Sequence, residues 1–387
     1  MRAPQAWAGL VAGLVVGCFS GDGTIGAICR DASDCGPDQG CRSEVCGRCG
    51  DGVAQTGELC LGDAAAVADT TAAAVLRVAD LDGDGREDIV AWASGASAFE
   101  VYLVAPGGAV VASSVSVDAA IVDADPGDLD GDGAIDLALL LADRVAVAYG
   151  DGTGGFATPT DVDVVDGGLT LAALPMPGGT SRVAVTRDGT LHWWLVDGGR
   201  VVVGTGSAAL SGGGPRLGKA VVLEAAAASG LVIGTADGML TAWQVVDDGF
   251  VAGAAVAAGA TPDRVVLTDV DGDGRTDAVA LGADGTVGTV LSDGMGGLVP
   301  DESLDVGEAA TGFAAIDLTR DSRRDYVVTT EVGVSVLVAR GREHPDAVAL
   351  DDAGPASDVW ATDLDGDRRM ELVLAGASGI VRREVAP

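Results

Sequence analysis

The chain has 387 residues, is 48% hydrophobic but only 4% aromatic, contains 60 glycines and carries a formal charge of −35. Its 58 acidic residues face 23 basic ones, all arginine except Lys219, which excludes a surface that binds nucleic acid by neutralising phosphates. Intrinsic disorder is excluded too, because valine and alanine run throughout and an acidic disordered chain lacks such apolar content.

The chain opens with Arg2 and an apolar run from Trp7 to Val16, followed by Gly17 and Cys18. Ten helical residues span ~15 Å, half the hydrocarbon core of a bilayer, so the run reads as the hydrophobic part of a secretory signal and not as an anchor helix. The segment Leu14-Val15-Val16-Gly17-Cys18 resembles the bacterial lipoprotein signal, whose cysteine is lipidated and becomes the mature N-terminus. That resemblance implies a signal peptide over 1–17, lipid on Cys18 and a linker over 18–28. The protein is then exported and held by lipid alone to a bacterial membrane, at the outer membrane or cell surface. An ordinary signal peptide cleaved nearby is the other reading.

Six further cysteines, Cys29, Cys35, Cys41, Cys46, Cys49 and Cys60, are confined to one short segment with the spacing C-x5-C-x5-C-x4-C-x2-C-x10-C. In an exported chain this predicts a disulfide-stapled unit over 29–63, of open pairing, since so small a segment has little core. A zinc site at Cys46 and Cys49 is the sharper alternative. The stretch from Cys49-Gly50-Asp51-Gly52 to Gly57-Glu58-Leu59-Cys60 resembles short cysteine-rich repeats of exported myxobacterial proteins, with Leu61 where those have aspartate.

From Ala64 the composition shifts to Val, Ala, Gly and Asp, and a repeat emerges. Asp80-Leu81-Asp82-Gly83-Asp84-Gly85-Arg86-Glu87-Asp88 returns as Asp128-Leu129-Asp130-Gly131-Asp132-Gly133-Ala134-Ile135-Asp136. It returns again as Asp269-Val270-Asp271-Gly272-Asp273-Gly274-Arg275-Thr276-Asp277. Two weaker copies follow, Asp317-Leu318-Thr319-Arg320-Asp321-Ser322-Arg323-Arg324-Asp325 and Asp363-Leu364-Asp365-Gly366-Asp367-Arg368-Arg369-Met370-Glu371. Starting positions 80 and 128 lie 48 apart, as do 269 and 317, while 128 and 269 lie 141 apart, room for three periods of 47. A second marker, a turn glycine between two apolar runs, fills that gap: it recurs at Gly95, Gly189, Gly238, Gly285, Gly333 and Gly379, the second unit turning at Ala142-Asp143 instead.

Seven units of about 47 residues, each built of short β-type runs, predict an all-β, seven-bladed propeller over 64–387. The last unit ends one strand short, and the run 64–68 precedes the first unit with no other role, so that segment is expected to complete the final blade and hide an open edge.

Carboxylates at positions 1, 3, 5 and 9 of the motif, a carbonyl at 7 and glycine at 6 for a left-handed turn put hard oxygen donors around one point, the chemistry of a Ca²⁺ loop. The expected ligands are Asp80, Asp82, Asp84, Asp88 and the Arg86 carbonyl in unit one. In unit two they are Asp128, Asp130, Asp132, Asp136 and the Ala134 carbonyl. In unit five they are Asp269, Asp271, Asp273, Asp277 and the Arg275 carbonyl. Weaker sets are Asp317, Thr319, Asp321, Arg323 and Asp325 in unit six, and Asp363, Asp365, Asp367, Arg369 and Glu371 in unit seven. Three to five calcium ions are expected; solvated acidic turns are the alternative, and units three and four have no ligand set.

The period with D-x-D-G-D-G-x-x-D between strands resembles the FG-GAP/VCBS repeat family, seven-bladed calcium-binding propellers found in integrin α chains and bacterial exported proteins. Gly150-Asp151-Gly152-Thr153-Gly154-Gly155-Phe156 resembles that family's glycine–phenylalanine turn, a phosphate-cradling loop being the other reading of those glycines. The resemblance implies a binding or adhesion module, with a surface protein or glycan as partner, and the residues themselves offer few catalytic candidates, so none is assigned. A lectin, or an enzyme acting on polysaccharide or lipid, is the alternative. The only histidines, His192 and His344, have no nucleophile in the same phase. The acidic loops and the glycine turns should emerge on opposite faces of the disc. The partner is expected on the turn face, with His192, Trp193, Trp194 and Trp243 as its patch; packing of these tryptophans between blades is the other reading.

Overall fold

The computed structural model describes residues 40–42, 45–47, 65–68, 75–105, 110–176, 180–210, 216–217, 230–318, 323–340, 343–349, 354–366, 370–376 and 379–384. Every regular element among them is a β-strand. The chain divides into two compact units, Met1–Cys60 and Leu61–Ala386, each considered by itself. In the first, Gly40–Arg42 pairs antiparallel with Val45–Gly47, which sets the backbone of Cys41 opposite that of Cys46. The expectations for Cys18, Cys29, Cys35, Cys49 and Cys60 lie outside the described residues.

The second unit is a ring of seven four-stranded antiparallel sheets. Blade one consists of Val75–Ala79, Asp88–Trp92, Ala98–Val104 and Val110–Ser116 in sequential order. The first strands of the later blades are Ile121–Gly127, Thr170–Leu174, Arg216–Leu217, Pro262–Thr268, Ala310–Ile316 and Ala356–Thr362. Each first strand touches the next around the axis, and Ala356–Thr362 touches Val75–Ala79 to close the ring. The seventh blade gains its outer strand from the N-terminal side: Ala65–Ala68 pairs antiparallel with Gly379–Glu384, Ala66 lying opposite Val381.

The alternation of apolar content follows from this stacking. Second strands are sandwiched between neighbouring blades, and Asp88–Trp92, Asp136–Leu141, Asp277–Gly282 and Asp325–Thr330 are buried along their whole length. They therefore read as unbroken apolar runs and not as period-two patterns. Outer strands such as Val110–Ser116 are largely exposed and carry serine and alanine. The cores lie between blades: Val90, Trp92, Phe99 and Val101 of blade one pack on Ile121, Leu137, Leu139 and Leu141 of blade two. With so few aromatics, close approach of small residues fills the rest. Gly154, with φ of 82°, is an example: a Cβ there would fall 2.5 Å from the Leu103 side chain. Its amide donates to the Leu81 carbonyl of blade one, so the Gly150–Phe156 segment is a packing turn between blades.

Around the axis, carboxylates of one blade accept main-chain amides of the next. Asp123 Oδ2 accepts Leu171 N at 3.0 Å, Asp125 Oδ2 accepts Ala173 N at 2.9 Å and Asp358 Oδ2 accepts Leu76 N at 3.2 Å. Arg77 donates to Asp123 at 2.8 Å, and Arg264 of blade five reaches past blade six to Asp358 of blade seven at 3.0 Å. Arg77, Asp123, Asp125, Leu171 and Arg264 line a cavity of about 580 Å³ with Thr170, Thr311 and Trp360.

Because Ala65–Ala68 covers the only edge at which the last blade would otherwise end, Ala66→Pro, which removes a strand donor, is expected to lower the melting temperature by several degrees. Hydrogen exchange should show faster exchange over Gly379–Glu384 first. Unchanged exchange there would mean that the pairing does not close the ring.

Candidate metal centre

Each acidic segment joins the first and second strands of its blade, whereas the glycine turns join the second and third, so the two sets emerge at opposite ends of the strands. The loop conformation is written in its own carboxylates. In blade one, Asp80 Oδ1 accepts the Gly83 and Asp84 amides at 2.8 and 3.1 Å, and its Oδ2 accepts Gly85 N at 3.0 Å. Asp82 Oδ1 accepts Asp84 N at 3.1 Å and Asp84 Oδ1 accepts Arg86 N at 2.9 Å. Asp128, Asp130 and Asp132 repeat this pattern in blade two, as do Asp269, Asp271 and Asp273 in blade five. Gly83, Gly131 and Gly272 have φ of 74°, 78° and 78°, and Gly85, Gly133 and Gly274 have φ of 84°, 91° and 84°. Glycine is thus required at position 4 as well as at position 6, where the spacing had pointed to position 6 alone.

Position 9 plays a different part. It begins the second strand, is buried, and spends both oxygens on main-chain amides. Asp88 accepts Leu81 N at 3.0 Å and Val104 N at 2.8 Å; Asp136 accepts Leu129 N at 2.8 Å and Gly150 N at 2.9 Å. Asp277 accepts Val270 N at 2.9 Å and Ser292 N at 2.7 Å; Asp325 accepts Leu318 N and Ala339 N, both at 2.9 Å. One carboxylate therefore ties the loop to the far end of the third strand. Burial pushes the Asp88, Asp136 and Asp277 carboxyls up to about 6, against the pull of those amides, and neighbouring loop carboxylates add to the rise. Glu371, its counterpart in blade seven, is pushed by burial up to about 7.

Donor oxygens of Asp80, Asp82 and Asp88 lie within 4.8 Å of one another, as do those of Asp128, Asp130 and Asp136, of Asp269, Asp271 and Asp273, and of Asp363, Asp365 and Glu371. Oxygens held at ~2.4 Å from one Ca²⁺ can be at most about twice that far apart, so these donor sets fit one such ion each. Asp84, Asp132 and Asp277 are not among the gathered triplets. In blade six Thr319 and Asp321 lie outside the described residues, as do Asp367 and Arg369 in blade seven; Asp317, Arg323 and Asp325 of blade six are described.

Arginine side chains, to which motif spacing gave no role, touch these loops. Arg86 and Arg275 pair with Asp84 and Asp273 of their own loops. Arg324 of blade six donates to Asp269 of blade five at 3.3 Å, and Arg382 donates to Asp365 and Glu371 at 3.1 and 3.2 Å. Arg200 of blade three donates to Asp130 at 2.7 Å and Asp132 at 3.4 Å in blade two.

The expected aromatic patch is overturned. Trp193, Trp194 and Trp243 are buried, at 7%, 4% and 7% exposure, because they fill inter-blade cores. Trp193 meets Phe250 edge to face at 5.2 Å and donates to the Asp248 carbonyl; Trp194 donates to Asp163 at 2.8 Å. His192, half-buried in Thr190–Asp197, stands opposite Val185 and Ser207.

No protein-family model matches the chain, and no curated protein matches it in sequence. Solved structures do match it in fold. Two crystal structures of BBS1N in complex with ARL6DN, one soaked with mercury and one with lead, superpose with TM-scores of 0.57 and 0.58 at 13% and 12% identity. Each alignment covers 84% of this chain and 96% or 97% of the other. The class defined by fold is the seven-bladed β-propeller.

A carboxyl whose folded value is raised stabilises the fold below its unfolded value near 4, and that contribution is lost as pH rises through about 6. In chelator, the melting temperature is therefore expected to be higher at pH 5 than at pH 7.5. Relief of general repulsion acts in the same direction, so the diagnostic is Asp136→Asn, in which the slope between those pH values should flatten by a few degrees. An unaltered slope would exclude Asp136 as its source.

Proposed function

We propose that this protein is a calcium-stiffened propeller that serves as a binding module on the bacterial cell surface, held there by lipid on Cys18. The observation that carries the calcium reading is the in-phase gathering of carboxylate oxygens in the loops of blades one, two and five. Hard oxygen donors and no thiolate or imidazole suit Ca²⁺, and Mg²⁺, which sheds its water reluctantly, suits such a cage less well. Asp80, Asp82, Asp84, Asp88 and the Arg86 carbonyl would hold the ion in blade one, and the equivalent residues would hold one in blade five; in blade two they would hold theirs against the Arg200 guanidinium, which donates to Asp130 and Asp132. Bound there, calcium would offset the repulsion among the loop carboxylates and lock the joint between first and second strands.

Binding in place of catalysis is the reading that the fold supports best, and the BBS1N structures, solved in complex with ARL6DN, are compatible with it. The face bearing the glycine turns is the proposed docking side, because the loop oxygens of the other face are committed to ions. A surface protein is favoured over a glycan as partner, since the buried tryptophans offer no sugar-stacking platform.

Ions bound only by the folded chain stabilise it by about 2.7 kcal/mol per site at a hundredfold excess over Kd. Millimolar calcium is expected to raise the melting temperature well above that in chelator. Asp84→Ala and Asp273→Ala should each diminish that response, and Asp188→Ala, in a turn of blade three, should not. Equal melting temperatures in calcium and chelator would contradict the metal reading.

Cys18→Ser should move the protein from the membrane to the soluble fraction or leave it unprocessed, since one lipid attachment is its only proposed anchor. Unchanged membrane fractionation would remove the lipid from the account.

A further inference from the structure

Among the described residues four loops gather carboxylates, and they are not equivalent, because guanidiniums from outside the loop enter those of blades two, five and seven in different ways. In blade two, Arg200 Nε donates to Asp130 Oδ2 at 2.7 Å and its Nη2 reaches Asp132 Oδ2 at 3.4 Å. Asp130 is 3% exposed, so its charge requires a nearby counter-charge, whereas Arg200 is 43% exposed and approaches from the rim. Two features hold Arg200 in place. Its guanidinium lies 4.3 Å from the Tyr149 ring centroid. Its backbone sits at φ of 63° in a turn closed by Arg200 N donating to the Asp197 carbonyl at 2.8 Å, with Asp197 Oδ1 accepting the amides of Gly199 and Val201. A non-glycine residue in the left-handed region is uncommon and is sustained by its surroundings.

Blade seven shows the same solution from another direction, with Arg382 Nη1 shared between Asp365 Oδ2 and Glu371 Oε1. Blades one and five differ. Arg86 and Arg275 are position-seven residues of their own loops and pair with the position-five carboxylates, Asp84 and Asp273. Arg324 Nη2 donates to Asp269 Oδ2 at 3.3 Å.

We infer that Arg200 is a built-in counter-ion of the blade-two loop, competing with a metal ion for Asp130 and Asp132, and that Arg382 does the same in blade seven. Blade three has no acidic loop of its own; in its place it lends a cation to its neighbour, bonding blade two to blade three without metal. This rests on the calcium reading above and sets the joints of blades two and seven, where one guanidinium from elsewhere spans two loop carboxylates, apart from that of blade one, whose loop is paired by its own Arg86. The practical consequence is a propeller with part of its loop face locked permanently and part responsive to calcium.

The test is a calorimetric titration of the full chain and of Arg200→Asn with calcium chloride. Asparagine tolerates the left-handed backbone, and the site is an exposed turn, so the variant is expected to fold. It should bind one more tight ion than the native chain, with affinity at that loop raised about tenfold or more, as expected when a unit charge some 4 Å away is removed. In chelator the variant should melt below the native chain, and calcium should recover the difference. Calcium uptake with the same stoichiometry and affinities in both proteins would overturn this inference and leave the calcium reading intact. No uptake by either protein would overturn the calcium reading, and with it the competition proposed for Arg200.

Discussion

Every acidic loop hangs from one buried carboxylate. In blades one, two, five and six the position-nine aspartate divides its two oxygens between an amide at the start of the loop and an amide at the end of the third strand. A shorter side chain could not span that gap, and a neutral amide would turn a donor toward one of the two donors. The arrangement places a charge between blades, where burial raises its affinity for a proton. In blades one, two and seven the loop carboxylates at positions 1 and 3 gather beside it. Guanidinium groups reach these carboxylates, and a metal ion is the other cation proposed for them. Blade seven varies the theme: Glu371 accepts Leu364 N at 2.5 Å and takes Arg382 as its second partner.

The ring itself depends less on charge than on closure. Apolar second strands pack between neighbours, and carboxylates such as Asp123 and Asp358 hand a hydrogen bond from one first strand to the next around the axis. Arg264, reaching from blade five to Asp358 of blade seven, also donates to the Thr311 carbonyl of blade six. The N-terminal strand Ala65–Ala68 then completes the last sheet, so that the two ends of the propeller segment hold one another.

Much of this was legible in the residues because the repeat is carried by backbone necessity. The motif glycines and aspartates recur since the loop cannot form without them, and the 47-residue phase located even blades three and four, which lack the motif. The closing strand was legible from a simple shortage, one unit missing a strand and one spare run before the first. Sequence patterns misled where residues act between blades. Trp193, Trp194 and Trp243 looked like an exposed aromatic patch, but adjacent tryptophans on one strand point to opposite sheet faces, and in a propeller both faces are core. Arg200 carries no signal at all, since its partners lie 70 and 68 residues away and nothing in a turn of aspartate and glycine announces a cation for another blade. The position-four glycine was visible as a letter but not as a requirement.

The central claim, that acidic loops on one face of this ring hold calcium through gathered carboxylates, is tested most directly by diffraction from crystals grown in calcium and soaked with a lanthanide, with ions located by anomalous scattering. The account predicts peaks within ~2.3–2.6 Å of carboxylate oxygens of Asp80, Asp82 and Asp88 and of Asp269, Asp271 and Asp273. Loops of both blades ordered as described, with no anomalous peak in either, would contradict it.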